Sequence, residues 1–192
     1  MRIIGIDPGL TRCGVGVVTA GPGRAVTFEH VEVLKSPADA STPSRLLQIG
    51  SSIARMLDGQ EISAIALERV FAQQNLPSVM GVAQMSGVVM YLAAQRGIPV
   101  TLYTPNEVKS QVTGYGAADK AQVGQMVARL LRLDAVPQPA DASDALALAV
   151  THAWNLNRGR ASSATAQASS ETPAQRAWRE AEAKSGKRRG SR

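Results

Sequence analysis

Arg2-Ile3-Ile4-Gly5-Ile6-Asp7-Pro8-Gly9-Leu10-Thr11-Arg12-Cys13-Gly14-Val15-Gly16-Val17-Val18-Thr19-Ala20 has the pattern of two strands joined by a tight turn, the start of a sheet. Two apolar runs, Arg2–Asp7 and Cys13–Ala20, flank the turn-forming link Pro8-Gly9-Leu10-Thr11-Arg12. Links this short favour an antiparallel hairpin. Gly21-Pro22-Gly23-Arg24 leads into a third run, Ala25–Lys35, and extends the meander. Asp7 closes the first run, so the strand delivers a carboxylate to the rim of a sheet.

Beyond the meander the pattern changes to alternating helix and strand. Ser44 to Leu57 carries a broad apolar face, and Ile62–Glu68 is too continuously apolar to be exposed on either side. Leu76 to Gln95 reads as a long helix and Pro99–Leu102 as a fifth strand. Thr104-Pro105-Asn106-Glu107 is a helix start with an N-cap, Pro at the first position and Glu at the third. Gly114-Tyr115-Gly116 breaks that helix, Asp119 with Gln122 starts another, and Asp141 to about Asn157 forms the last body helix. The order predicts an α/β fold, a mixed five-stranded sheet with helices on both faces.

The 192 residues allow one domain with a sizeable core plus an appendage. Met1–Asn157 carries twelve Lys/Arg and twelve Asp/Glu, whereas Arg158–Arg192 carries nine and three. The net charge of +6 therefore resides in the segment 158–192, read as a low-complexity linker and a flexible basic tail. Such a tail suggests a polyanionic partner, although solubility alone also explains it. Within it, Ala161–Ser170 reads as linker, and Thr172-Pro173-Ala174-Gln175 to Gly186 as a marginal helix. Cys13 is the only cysteine, which excludes an intramolecular disulfide. No signal-peptide pattern or membrane-length apolar run is present, so the expected location is cytoplasmic, with no membrane partner.

Glu68 closes the fourth strand as Asp7 closes the first, and Asp141 and Asp144 share one face at the start of the last helix. Each acid also has a plain explanation. Asp-Pro-Gly is an ordinary turn sequence, Glu68 is the first residue past a buried strand, and acids suit a helix N-terminus. Their placement at two strand ends and a helix start favours one shared site. Oxygen-only ligands with open positions suit Mg²⁺ or Mn²⁺ rather than zinc. Lys120 opposes the dipole of its own helix, which makes sense if a phosphate binds nearby. Phe71, at the head of a polar loop, is either a base-stacking group or a plug on the core.

These strings resemble the RuvC family of Holliday-junction resolvases. They are Gly5-Ile6-Asp7-Pro8-Gly9 with Gly14-Val15-Gly16, Glu68-Arg69-Val70-Phe71, Val108-Lys109, Gly114-Tyr115-Gly116 through Lys120, and Asp141-Ala142-Ser143-Asp144-Ala145-Leu146-Ala147. The resemblance spans about Met1 to Leu156. It implies an RNase H-like fold and a homodimer. Leu76–Gln95 reads equally well as its contact helix, through Met80, Gly81, Met85 and Gly87, or as a core helix packed on its own sheet. The resemblance implies that Asp7, Glu68, Asp141 and Asp144 are catalytic metal ligands, that Lys120 assists catalysis, and that Arg69, Phe71, Lys109 and Lys120 contact DNA. The cofactor implied is Mg²⁺, two ions per subunit, with Mn²⁺ as a substitute. The substrate implied is four-way junction DNA, expected to be nicked in pairs to leave 5′-phosphate and 3′-hydroxyl ends during recombination and repair. A branch-migration helicase complex is a further expected partner.

Three rival readings are weaker. An actin-like or sugar-kinase-like ATPase uses an Asp-x-Gly-x-Thr turn, which Asp7–Thr11 matches, but needs a second copy that this chain lacks. A non-catalytic junction-binding module would have lost an acid. A nuclease of the same fold acting on hybrids or linear DNA would keep the acids and change only the surroundings.

Overall fold

The structure is a computed structural model that describes residues 1–70 and 76–168, with side chains described at 1–70 and 79–158. Chain order is β1 (Arg2–Asp7), β2 (Arg12–Ala20), β3 (Val26–Lys35), α1 (Thr42–Gly59), β4 (Ala64–Glu68), α2 (Leu76–Gln95), β5 (Val100–Tyr103), α3 (Pro105–Thr113), α4 (Lys120–Leu131) and α5 (Ala140–Ala168). The chain divides into two compact units, Met1–Asn157 and Arg158–Arg192, and the sheet belongs wholly to the first.

The five strands lie in the order β3-β2-β1-β4-β5. The first two links make antiparallel hairpins as the sequence predicts. β4 runs parallel to β1, pairing Ile3 with Ala64 through Ile6 with Leu67, and β5 runs parallel to β4. Asp7 and Glu68 each come directly after the last of those β1–β4 pairs, so they emerge side by side at the carboxyl ends of adjacent parallel strands. Open α/β sheets place ligand sites at that rim.

Strand alternation divides the core. Ile4, Ile6, Val15, Val17, Ile65 and Leu67 pack against Ile49 and Ile53 of α1 and Met85 and Val89 of α2. On the other face Ile3, Val18 and Ala66 meet Val108 of α3, Val123 of α4 and Leu146 and Ala149 of α5. With a period of two, Asp7 shares the face of Ile3 and Gly5, and Glu68 that of Ala66. Both acids are therefore aimed at α5.

Local signals set the helix ends. Glu107 N donates to Thr104 Oγ1 at 3.2 Å and Thr104 N donates to Glu107 Oε2 at 2.7 Å, a complete capping box on α3. Asp119 and Gln122 make the same reciprocal pair on α4, at 2.8 and 2.9 Å. Gly114 ends α3 with φ 79°, a left-handed conformation that glycine adopts without penalty.

Two readings change. α5 runs to Ala168, through most of the Ala161–Ser170 stretch read as linker. The alanines and Gln167 there favour helix, and an established helix extends at the cost of one residue at a time. The contact groups expected together on α2 also separate. Met85 is fully buried, and a side chain at Gly81 would collide with Leu10, so both face the core. Met80, Gly87, Met90 and Tyr91 lie on the exposed side. The expected helix between Thr172 and Gly186 lies outside the described residues.

Candidate active site

The acids meet because α5 lies unusually close to the sheet. An added Cβ at Gly5 would overlap the Ala145 carbonyl, and one at Gly14 the Asp141 carbonyl. At Gly16 it would stand 2.9 Å from the Leu146 backbone nitrogen and side chain. These strand glycines form a bed into which α5 sinks, bringing its N-terminal turn down beside Asp7. Interior strand glycines mark such close backbone approaches. The signal was present in Gly14-Val15-Gly16, but its physical reason is visible only with α5 in place.

The four carboxylates feel one another. Burial pushes the Asp7 carboxyl up to about 8, and the charges of Glu68, Asp144 and Asp141 push in the same direction. Glu68 is also raised, first by burial and then by Asp144. Its hydrogen bond with Asp7 and the charge of Lys120 act the other way. Asp7 thus holds the proton that the pair shares and donates it to Glu68. Lys120 Nζ donates to Asp144 Oδ2 at 2.9 Å, a bond that raises the lysine above its ordinary range. Arg12 Nε lies 3.0 Å from Asp141 Oδ2. That oxygen is nevertheless buried without a well-formed hydrogen bond. The contact is a charge pairing whose geometry leaves the acceptor unsatisfied.

As the side chains stand, no three His, Cys, Asp or Glu among the described residues form a ready metal cluster. The reason lies in their partners: Asp144 is turned to Lys120, Asp141 to Arg12, and Asp7 and Glu68 to each other. The donor set itself fits a hard divalent cation. It is all oxygen, it carries an orphaned buried carboxylate oxygen, and its mutual repulsion raises Asp7 and Glu68.

Asp7, Glu68, Lys109, Lys120 and Asp144 line one depression of about 250 Å³. A second, of about 430 Å³, opens on the other side of Asp7 and holds Thr11, Arg12, Arg45 and Asp141. Every described acid and lysine expected at the site is therefore there. Arg69 is exposed just past β4, its amide donating to the Tyr103 carbonyl at 2.8 Å. Its charge is felt at Glu107, which the Thr104 amide and hydroxyl already hold below its ordinary range. Phe71 lies outside the described residues. Arg12 was not expected at the site. The available signal was that it is the one charged residue between Asp7 and the apolar run of β2.

A family model described as "Crossover junction endodeoxyribonuclease RuvC" matches residues 3–152. A relative of that name from Leifsonia xyli subsp. xyli is 52% identical over 191 residues, covering 95% of this chain and 92% of its own. One from Streptomyces avermitilis is 59% identical over 154 residues, 80% of this chain and 88% of its own. Among solved structures, T. thermophilus RuvC in complex with Holliday junction substrate superposes with TM-score 0.78 at 33% identity, covering 83% of this chain and 96% of that one. The yeast mitochondrial Holliday junction resolvase shares the fold, with TM-score 0.59 at 13% identity over 82% of each chain. The sheet, its helices and these likenesses make the fold RNase H-like. The chain belongs to the RuvC family of crossover junction endodeoxyribonucleases.

Proposed function

We propose that the chain is a structure-selective endodeoxyribonuclease that resolves four-way DNA junctions by paired, symmetric nicks. The observation that carries this reading is the convergence of Asp7, Glu68, Asp141 and Asp144 beside Lys120. The junction-bound relative at 33% identity supports junction DNA as the substrate.

Asp7, Glu68, Asp141 and Asp144 are the residues that would hold divalent metal, two Mg²⁺ ions per subunit with Mn²⁺ as a substitute. When bound, the metal supplies activation of the attacking water and stabilisation of charge on the departing 3′ oxygen. The chain's own residues do the rest. Asp7 and Glu68 share one proton, and holding metal would require them to release it. Lys120 donates to Asp144; were that carboxylate to hold metal, Lys120 would be free to face the charge developing on the phosphoryl oxygens. Lys109, in the same depression, holds the strand by its phosphates. Arg69 and Phe71, which come directly after β4, extend the contact toward the junction centre. The products are nicks with 5′-phosphate and 3′-hydroxyl ends.

Two such sites related by a two-fold axis match the symmetry of a junction. The exposed Met80, Gly87, Met90 and Tyr91 on α2 support that helix as the homodimer contact. A labelled four-way junction, a linear duplex and an RNA–DNA hybrid, each with Mg²⁺ or EDTA, test the reading. Metal-dependent cleavage confined to the junction is expected. Hybrid cleavage would change the substrate, and tight junction binding without cleavage in any metal would favour a binding module.

A further inference from the structure

The depression on the Lys120 side of Asp7 accounts for one flank of the reactive centre. The larger one, on the Arg12 side, shares Asp7 and Asp141 with that centre, but its arginines have no role in that chemistry. Its lining includes two guanidinium groups, from Arg12 and Arg45, and the wall of the Pro8–Arg12 turn.

Arg45 is fixed in place. Its Nε donates to Ser36 Oγ at 3.1 Å and its Nη2 to Thr11 Oγ1 at 2.6 Å, while Ser36 Oγ donates to the Leu10 carbonyl. These bonds use one edge of the guanidinium, and among the described residues nothing accepts from its Nη1. A guanidinium locked along one edge presents a preorganised donor along another, the arrangement that suits phosphate. Arg12 differs in being loosely held. Its side chain is 58% exposed, and its pairing with Asp141 leaves the acceptor oxygen without a hydrogen bond. An exposed, poorly aligned ion pair is worth little, so Arg12 is readily surrendered to a better anion.

We propose that this cleft is a second phosphate-binding subsite. In it Arg12 and Arg45 hold a backbone phosphate of the cut strand, next to the scissile one and across Asp7 from Lys120. The inference rests on the nuclease reading of the site and adds a ligand to it. A strand crossing Asp7 would then meet cations on both sides, Lys109 and Lys120 on one and the two arginines on the other. Paired with Asp141 in free protein, Arg12 would exchange that carboxylate for the incoming phosphate. The exchange leaves Asp141 Oδ2 open at the moment substrate arrives. Recognition is of phosphodiester charge, so it is indifferent to base sequence.

The test is equilibrium binding of the full-length protein to a four-way junction and to a linear duplex of matching sequence. It is done in EDTA across a salt series, with wild type, Arg12→Gln, Arg12→Lys and Arg12→Gln/Arg45→Gln. Each phosphate that the protein no longer neutralises should lower the slope of log affinity against log salt by about 0.9. Because the two arginines share one phosphate, the double variant is expected to reduce the slope by about 0.9 per subunit bound and the single Gln variant by part of that. Arg12→Lys keeps the charge and should keep the slope. An unchanged slope in Arg12→Gln, with wild-type junction cleavage intact, overturns the subsite and leaves the nuclease reading standing. An equal reduction in Arg12→Lys also overturns it, because charge would then not be what was removed. If wild type shows neither junction preference nor cleavage, but the Gln slopes still fall on linear duplex, the subsite stands and the junction reading fails.

Discussion

Asp7 is the residue on which the proposed chemistry turns, and its protonation gives it a measurable signature. Its folded-state value of about 8 lies above the ordinary 3.8. The folded chain therefore binds more protons than the unfolded chain between those limits. Stability falls as pH rises through that window, because the slope is set by the proton difference. In EDTA the melting temperature is expected to drop from pH 5 to pH 8. Asp7→Asn, which removes the charge but keeps the shape, should flatten that drop and raise the pH 8 melting temperature by about 3–6 °C, the equivalent of about 1.5 kcal/mol in a chain of this size. The same substitution is expected to leave junction binding largely intact while abolishing cleavage. Parallel melting curves for the two proteins across pH would contradict the buried, protonated carboxyl. Equal loss of binding and cleavage would contradict a ligand role.

Among the elements, α5 positions the site through its fit against glycines. Gly14→Val is expected to push α5 away from β2, costing about 1–3 kcal/mol for overpacking and removing cleavage. Thermal melts and the junction assay together check it, and a native melting temperature with full activity would contradict the glycine bed. By comparison, Thr104→Ala removes one half of the α3 capping box and should cost about 1 kcal/mol. Cleavage should survive, since α3 carries only Lys109 into the depression as a charged group. Much of this was legible in the chain. Apolar runs ending in acids marked β1 and β4, and Thr104, Asp119 and Gly114 marked helix ends because capping and left-handed backbone are local physics. The contact between Gly14 and the Asp141 carbonyl was not legible, since it joins residues far apart in sequence through a shape. The Arg12–Asp141 pair is long-range in the same way. On α2, the run Met80 to Tyr91 is largely apolar and its two polar residues, Gln84 and Ser86, fall one on the exposed and one on the buried side, so sequence alone did not separate its core side, with Met85 and Val89, from its exposed side.

At the scale of the whole molecule, β1 and β4 side by side, with α5 laid across them, supply one acidic centre per chain. A junction needs two cuts. The exposed stripe Met80, Gly87, Met90 and Tyr91 is the surface expected to bring two chains together. If the proposed homodimer forms through this face, Met90→Glu with Tyr91→Glu shifts it from dimer to monomer in sedimentation or light scattering. It should also uncouple the two nicks, with single-nicked junctions accumulating in place of resolved duplexes. Dimers that persist with normal paired cutting would move the interface elsewhere on the surface.

The central claim is that the four acids around Asp7 cut junctions in symmetric pairs, and mapping the nicks on a mobile-core four-way junction tests it most directly. Each strand is end-labelled in turn, with Mg²⁺ present, for wild type and Asp7→Asn. The result expected is two nicks at symmetry-related positions on opposed strands, sealed by ligase without further processing and absent in the variant. Unpaired nicks, ends that ligase cannot join, or cleavage that survives Asp7→Asn would contradict it.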